Sequence, residues 1–221
     1  MEKLRIILHS NDSYERVFLN ESVDLHIVQE AGSRVKIHVI DVQRDDVPCT
    51  REVTNRITIE QVGSGCRTEI YGLAFLHGDD SVTTETHVHH LVGGGTSDQL
   101  IKFVLDDHAK GAFLGDLKIA PDAQQVEAHQ TNRNLLLSDD AEMRTRPQLE
   151  IYADDIQATH GASTGQLDEA ALFYMQQRGI GKEKARQLLV NAFMMDVLDK
   201  LPTTKDERLT SLLDSIDGVV Q

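Results

Sequence analysis

Up to about residue 160, short runs of the chain alternate apolar and polar positions. Leu25 and Ile27, Val35, Ile37 and Val39, Ile57 and Ile59, Ile101, Phe103 and Leu105, Leu117 and Ile119, and Leu149 and Ile151 stand two positions apart with polar neighbours. Side chains of a strand alternate between faces, so each run predicts a strand with one buried face. Turn-forming stretches separate the runs: Ala31-Gly32-Ser33, Gly63-Ser64-Gly65, Gly78-Asp79-Asp80, Gly93-Gly94-Gly95 and Ser138-Asp139-Asp140. Spacings of roughly eight to thirteen residues suit a sandwich, a barrel or a β-solenoid. A stack of short rungs tolerates dense polar residues, because each rung buries only a thin aliphatic stripe against its neighbours. This tilts the pattern slightly toward a solenoid.

Pro147 to Asp155 reads as one more strand, with Leu149, Ile151 and Ala153 on one face and Glu150, Tyr152 and Asp154 on the other. It is expected to lead into a turn over Thr159-His160-Gly161-Ala162-Ser163-Thr164-Gly165, which puts His160 in a loop, where functional residues collect. From Leu167 the period is helical. Asp168 and Glu169 open a first helix at the positive end of its dipole, and Arg178-Gly179 closes it. A second helix is predicted from about Lys182 to Lys200, with Ala185, Leu188, Leu189, Ala192, Phe193 and Val197 as its apolar stripe and Pro202 as its stop. Leu209, Leu212, Leu213 and Ile216 predict a third. The expected division is a β core over residues 1–160 and a helical domain over 161–221.

Trp is absent and aromatics make up 5% of the chain, so the core is aliphatic. The 36 acidic and 22 basic residues leave a net charge of −14, which argues against nucleic acid or an anionic membrane as the main partner. Cys49 and Cys66 are too few for a disulfide framework or for an iron–sulfur cluster held alone, and are expected to be buried, reduced, structural thiols. The start MEKLRIILHS lacks the features of a signal peptide, and no apolar run approaches the ~18 residues of a membrane span. A cytoplasmic protein is the expectation.

The densest histidine cluster is His87-Val88-His89-His90. In a strand His87 and His89 share a face, either as a candidate metal pair or as part of a polar, solvent-facing surface. Gly93-Gly94-Gly95-Thr96-Ser97 is followed by no Gly-Lys-Ser/Thr, and neither Gly-x-Gly-x-x-Gly nor Gly-x-Ser-x-Gly occurs. Asp106-Asp107-His108 reads as a loop.

A family likeness runs through residues 70–200. Ser97-x-Gln99-x-x-Lys102, Phe113-x-Gly115, Ala123-Gln124, Ala128-x-Gln130-x-Asn132, Leu135-Leu136-Leu137-Ser138, the stretch 147–155, Thr159 to Asp168, Leu172-Phe173-Tyr174 and Arg178-Gly179-Ile180 resemble the SufD branch of the SufB/SufD family. That family belongs to the SUF iron–sulfur cluster assembly machinery. The resemblance implies a right-handed parallel β-helix core with a C-terminal α-helical domain. It also implies an N-terminal helical domain for which this chain has no room, so a core-plus-C-terminal piece or a short member is expected.

The resemblance further implies a scaffold, not an enzyme. It would pair through its β-helix with a SufB-like subunit or a second copy, and dock a SufC-like ATPase through its helices, in the region of Phe173, Tyr174, Arg178 and Gly179. His160 falls on the family's His-Gly-Ala histidine. Carried over, it is a candidate ligand to iron or to a transient cluster shared with SufB, with no intrinsic cofactor. Many members have Cys two residues earlier, where this chain has Ala158. The alternatives are a metal-dependent β-solenoid enzyme using the His87/His89 face and a purely structural homodimer.

Overall fold

The computed structural model describes residues 3–42 and 51–202. Its strands are β1 (Lys3–Leu8), β2 (Ser13–Leu19), β3 (Val23–Gln29), β4 (Arg34–Val42), β5 (Glu52–Gln61), β6 (Arg67–Leu76), β7 (Ser81–His90), β8 (Thr96–Leu105), β9 (Lys110–Ile119), β10 (Val126–Leu136), β11 (Glu142–Ile151) and β12 (Ile156–Gly165). Helices α1 (Glu169–Gln177) and α2 (Lys182–Leu198) follow. Odd-numbered strands form one six-stranded parallel sheet and even-numbered strands a second. Consecutive strands therefore alternate between sheets, and the chain winds as a parallel β-helix in which each coil gives one strand to each sheet.

Register explains the sequence pattern. Ile6, Ile27, Ile59, Val88, Leu117 and Leu149 lie one above another along the first sheet. Ile27, Ile59, Val88 and Leu117 are fully buried between the sheets. Each such side chain withdrawn from water contributes about 1.5–3 kcal/mol against the entropy of ordering the coil. Turn chemistry ends the strands where the sequence places it.

A second apolar cluster lies outside the lumen. Ile40, Val42, Tyr71, Leu73, Phe75, Val104 and Leu135, on the outer face of the second sheet, pack against Val190, Met194 and Val197 of α2. Lys102 completes the contact from within the sheet. Its ammonium donates to the Phe193 carbonyl at 2.6 Å and to Asp196 Oδ2 at 2.6 Å, and lies 4.7 Å from the Phe193 ring centroid. Asp168 caps α1 by accepting from the backbone N–H groups of Ala170 and Ala171. Gly179, at φ +85°, supplies the left-handed residue that ends α1. No helix among the described residues is long and apolar enough to cross a membrane.

The structure departs from three sequence expectations. Thr159–Gly165 is not a turn: β12 pairs residue for residue with β10, from Ile156↔Val126 to Gly165↔Leu135. His160 is therefore mid-strand, and the change from strand to helix falls after residue 165. The small residues that read as a turn are held extended by the backbone ladder of their neighbour. The strand placed at 147–155 runs instead from Glu142 to Ile151. In α2, Leu188 and Ala192 are exposed while Val190 and Met194 are buried, because the helix lies on a sheet and turns a narrower face inward. The third helix and Cys49 lie outside the described residues. Cys66 is a buried free thiol that donates to the carbonyls of Glu30 and Gly63.

Candidate functional site at the open end of the β-helix

Every coil but the outer ones is roofed on both sides by neighbouring coils. The last coil, β11 and β12, has nothing described beyond it. On β12 the lumen-facing positions are Ile156, Ala158, His160, Ala162 and Thr164, in register with Val126, Ala128, Gln130, Asn132 and Asn134 of β10. The β10 residues are all buried; His160, Ala162 and Thr164 are exposed. On β11, Met143, Thr145, Pro147, Leu149 and Ile151 stand over the buried Gly111, Phe113, Gly115, Leu117 and Ile119. Ile151 is 42% exposed and Tyr152 58%. As edge strands, β11 and β12 also present backbone N–H and C=O groups on one side. The end of the helix is thus an opened core with two strand edges, the composition of an interface.

His160 stands in the middle of this surface. Along the second sheet its row runs Ile37, Ile70, Gln99, Gln130, His160. The strand beneath it is held in place: Asn134 donates to the Ser163 carbonyl and to Thr164 Oγ1, and His129 and Thr159 share a hydrogen bond of 2.8 Å on the outer face. The strand thereby presents an imidazole, a side chain able to ligate a metal, to whatever covers the end.

The other histidine cluster lies elsewhere. His87 and His89 point outward from the first sheet and His90 inward. His89 Nε2 is 3.1 Å and His87 Nδ1 3.6 Å from Asp116 Oδ2, and His87 Nε2 is 4.0 Å from Glu85. Of the two, His87 borders a shallow cleft of about 250 Å³ with Leu114, Asp116, Arg146, Gln148 and Glu150. Among the described residues no group of three or more His, Cys, Asp or Glu side chains is arranged to hold a metal ion. His90 is fully buried, bonds Ser97 Oγ at 2.9 Å, and has its pKa pushed down to about 4 by burial.

Phe173 and Tyr174 are 62% and 60% exposed on α1. Arg178 donates to the Tyr174 hydroxyl at 3.0 Å, and its guanidinium lies 5.2 Å from that ring's centroid. With Gly179, also exposed, these four predicted residues share the outer surface of the helical region, joined by Leu188 and Met195 on α2. The structure does not bring them together with His160 into one site.

Sequence reasoning missed the polar lumen: Gln29, Gln61, Thr86, His90, Gln99, Gln130 and Asn132 are all buried. It also missed Lys102 as the anchor of α2. Gln99, Lys102 and Gln130 were visible only as motif residues of the family likeness.

Residues 20–193 match the model of the SUF system FeS cluster assembly, SufBD core domain. The chain is 35% identical over 147 residues to the iron–sulfur cluster assembly protein SufD of Escherichia coli, covering 66% of this chain and 34% of that protein. It is 34% identical over 148 residues to an iron–sulfur cluster assembly SufBD family protein of Synechocystis, covering 67% and 33%. Against SufD of Bacillus subtilis it is 35% identical over 126 residues, covering 57% and 29%. The match thus spans about a third of the length of these relatives.

Proposed function

This chain belongs to the SufBD core-domain family of the SUF iron–sulfur cluster assembly system, and from that membership we propose that it is a SufD-like, non-enzymatic scaffold subunit. Its open β-helix end pairs with a SufB-like subunit or with a second copy of itself. The exposed surface around Phe173, Tyr174, Arg178 and Gly179 docks a SufC-like ATPase. His160 offers a ring nitrogen to iron, or to a nascent cluster, as cargo shared across the joint. An imidazole can replace a thiolate at iron, and Ala158 supplies no thiol beside it.

The observation that carries this reading is the unroofed last coil, whose lumen-facing residues are in register with buried ones yet exposed, with His160 among them. A core left open in this way exposes apolar area that association would bury. The metal-dependent enzyme has no comparable support, because no group of three or more His, Cys, Asp or Glu side chains among the described residues, His87, His89 and Asp116 included, is arranged to hold a metal ion.

Co-expression with SufB-like and SufC-like partners tests the reading. A stable three-component complex is expected. His160→Ala is expected to leave assembly intact and to lower iron and acid-labile sulfide per complex on reconstitution. Partners that do not associate, or a variant that loads cluster like the wild type, would overturn the corresponding half.

A further inference from the structure

We propose that Gln130 is the positioning residue of His160, its carboxamide fixing the imidazole's tautomer and direction once the open end is covered. This inference rests on the reading of His160 as a ligand at that end.

Gln130 is 1% exposed, and neither its Nε2 nor its Oε1 has a hydrogen-bond partner. Gln99, one coil further in and in register with it, is fully buried with both amide atoms likewise unpartnered. Across the lumen, Thr86 Oγ1 is buried and unpartnered too, in register with Gly115. Buried polar groups are nearly always hydrogen-bonded, so a run of three such side chains calls for an explanation. The run has a direction: the next residue after Gln99 and Gln130 is His160, at the mouth.

Gly115 makes the place for this carboxamide. A Cβ there would stand 2.5 Å from Gln130 Nε2 and 2.7 Å from its Oε1. The glycine therefore leaves the space in which the Gln130 amide lies, pressed across the lumen from the first sheet. Adjacent coils lie about 4.8 Å apart, a span that a glutamine side chain bridges toward an imidazole on the next strand. A ligand histidine needs one ring nitrogen free for the metal and an acceptor for the N–H of the other, which sets the tautomer and aims the ring. Gln130 Oε1 is an acceptor without a donor. With the end covered, the inner N–H of His160 donates to it, and the outer nitrogen faces the partner.

The test uses the complex assembled with SufB-like and SufC-like subunits, loaded with ferrous iron and sulfide. Gln130→Met keeps the volume and removes the acceptor. It is expected to leave assembly and thermal unfolding unchanged, to lower cluster loading about tenfold, the lower end for loss of a ligand's orienting partner, and to move the His160 ring resonances in nitrogen-15 NMR of the histidine-labelled complex. Gln130→Glu retains an acceptor and is expected to recover most of the loading. Should Gln130→Met fail to assemble, Gln130→Asn, which draws the amide back by one methylene, is expected to show the same loss. Wild-type loading and unmoved resonances in Gln130→Met, alongside loss in His160→Ala, would overturn this inference alone. Wild-type loading in both variants would overturn the reading of the open end on which it stands.

Discussion

Lys102 and Asp196, 94 positions apart, meet at 2.6 Å beneath α2. The lysine side chain is 2% exposed and the carboxylate 57%. The lysine crosses from a sheet into a helix and neutralises its charge at the surface. Hydrogen bonding to the ammonium holds the Asp196 carboxyl below its ordinary range. Helix α2, which follows the α1 that carries Phe173 and Tyr174, is thereby keyed to the β-helix by a directional contact as well as by Val190, Met194 and Val197.

Lys102→Met is expected to lower the unfolding free energy by about 1–2 kcal/mol, since bonds to a charged donor are lost while the half-exposed Asp196 stays hydrated. The loss depends on pH. A carboxyl depressed in the folded state contributes stability above its unfolded pKa and loses it as pH falls through the folded value. The difference between wild type and Lys102→Met should therefore shrink on acidification through the carboxylate range. Urea unfolding at neutral pH and in acid measures both quantities, and a pH-independent difference would remove the Asp196 bond as its source.

Two buried groups pull stability in opposite directions between pH 4 and 6. Burial pushes Asp41 up to about 6, against its bonds to Asn55 and Arg51. Raised in the folded state, it stabilises most when protonated, and that contribution is lost as pH rises toward 6. Burial pushes His90 from 6.5 down to about 4. Depressed in the folded state, it contributes stability above 6.5 that is lost as pH falls toward 4. His90→Gln puts a glutamine in the row already occupied by Gln29 and Gln61. It should make the protein less sensitive to acid over this window, by on the order of 3 kcal/mol. Asp41→Asn should make it more sensitive. Midpoints of urea unfolding at pH 4 and 6.5 decide, and parallel shifts in both variants would show that neither group sets the slope.

Much of the β-helix was legible because rows such as Ile27–Ile59–Val88–Leu117 are aliphatic in most coils, and the period-two pattern survives wherever they are. It was illegible where the lumen is polar. β10 places Gln130, Asn132 and Asn134 inside, so alternation there carries no hydrophobic signal. β12 is written in small residues and is extended only because β10 pairs with it. His160 was found by family likeness, but that its side chain belongs to the lumen row follows from a register set by a residue 30 positions away. On α2, spacing alone could not separate the stripe through Leu188 from the one through Val190 and Met194, since both are apolar.

If the open end is a joint, a charge there should cost association more than folding. Ile151 is 42% exposed, so Ile151→Asp gives up only part of a buried isoleucine and is expected to lower folding stability by about 1–2 kcal/mol, leaving the chain folded. It should weaken pairing with a SufB-like subunit or a second copy at least about tenfold, the equivalent of about 1.4 kcal/mol. Sedimentation of wild type and variant, each with and without the partner, reads the effect. Equal association in both would move the joint away from β11.

Gly115 and Gln130 offer a test of lumen packing that needs no partner. Gly115→Ala drives a methyl to within 2.5–2.7 Å of the Gln130 amide. The amide is the far end of a flexible side chain, but it is buried among packed neighbours, so part of the clash remains after it moves. A loss of about 1–3 kcal/mol is expected, the usual cost of overfilling a core. Shortening the opposing side chain removes the obstacle: in Gly115→Ala/Gln130→Ala the methyl enters space the carboxamide has left. The double variant should be more stable than the sum of the single changes predicts, with a coupling of about 1 kcal/mol, whereas additive losses would mean that the two residues do not meet across the lumen.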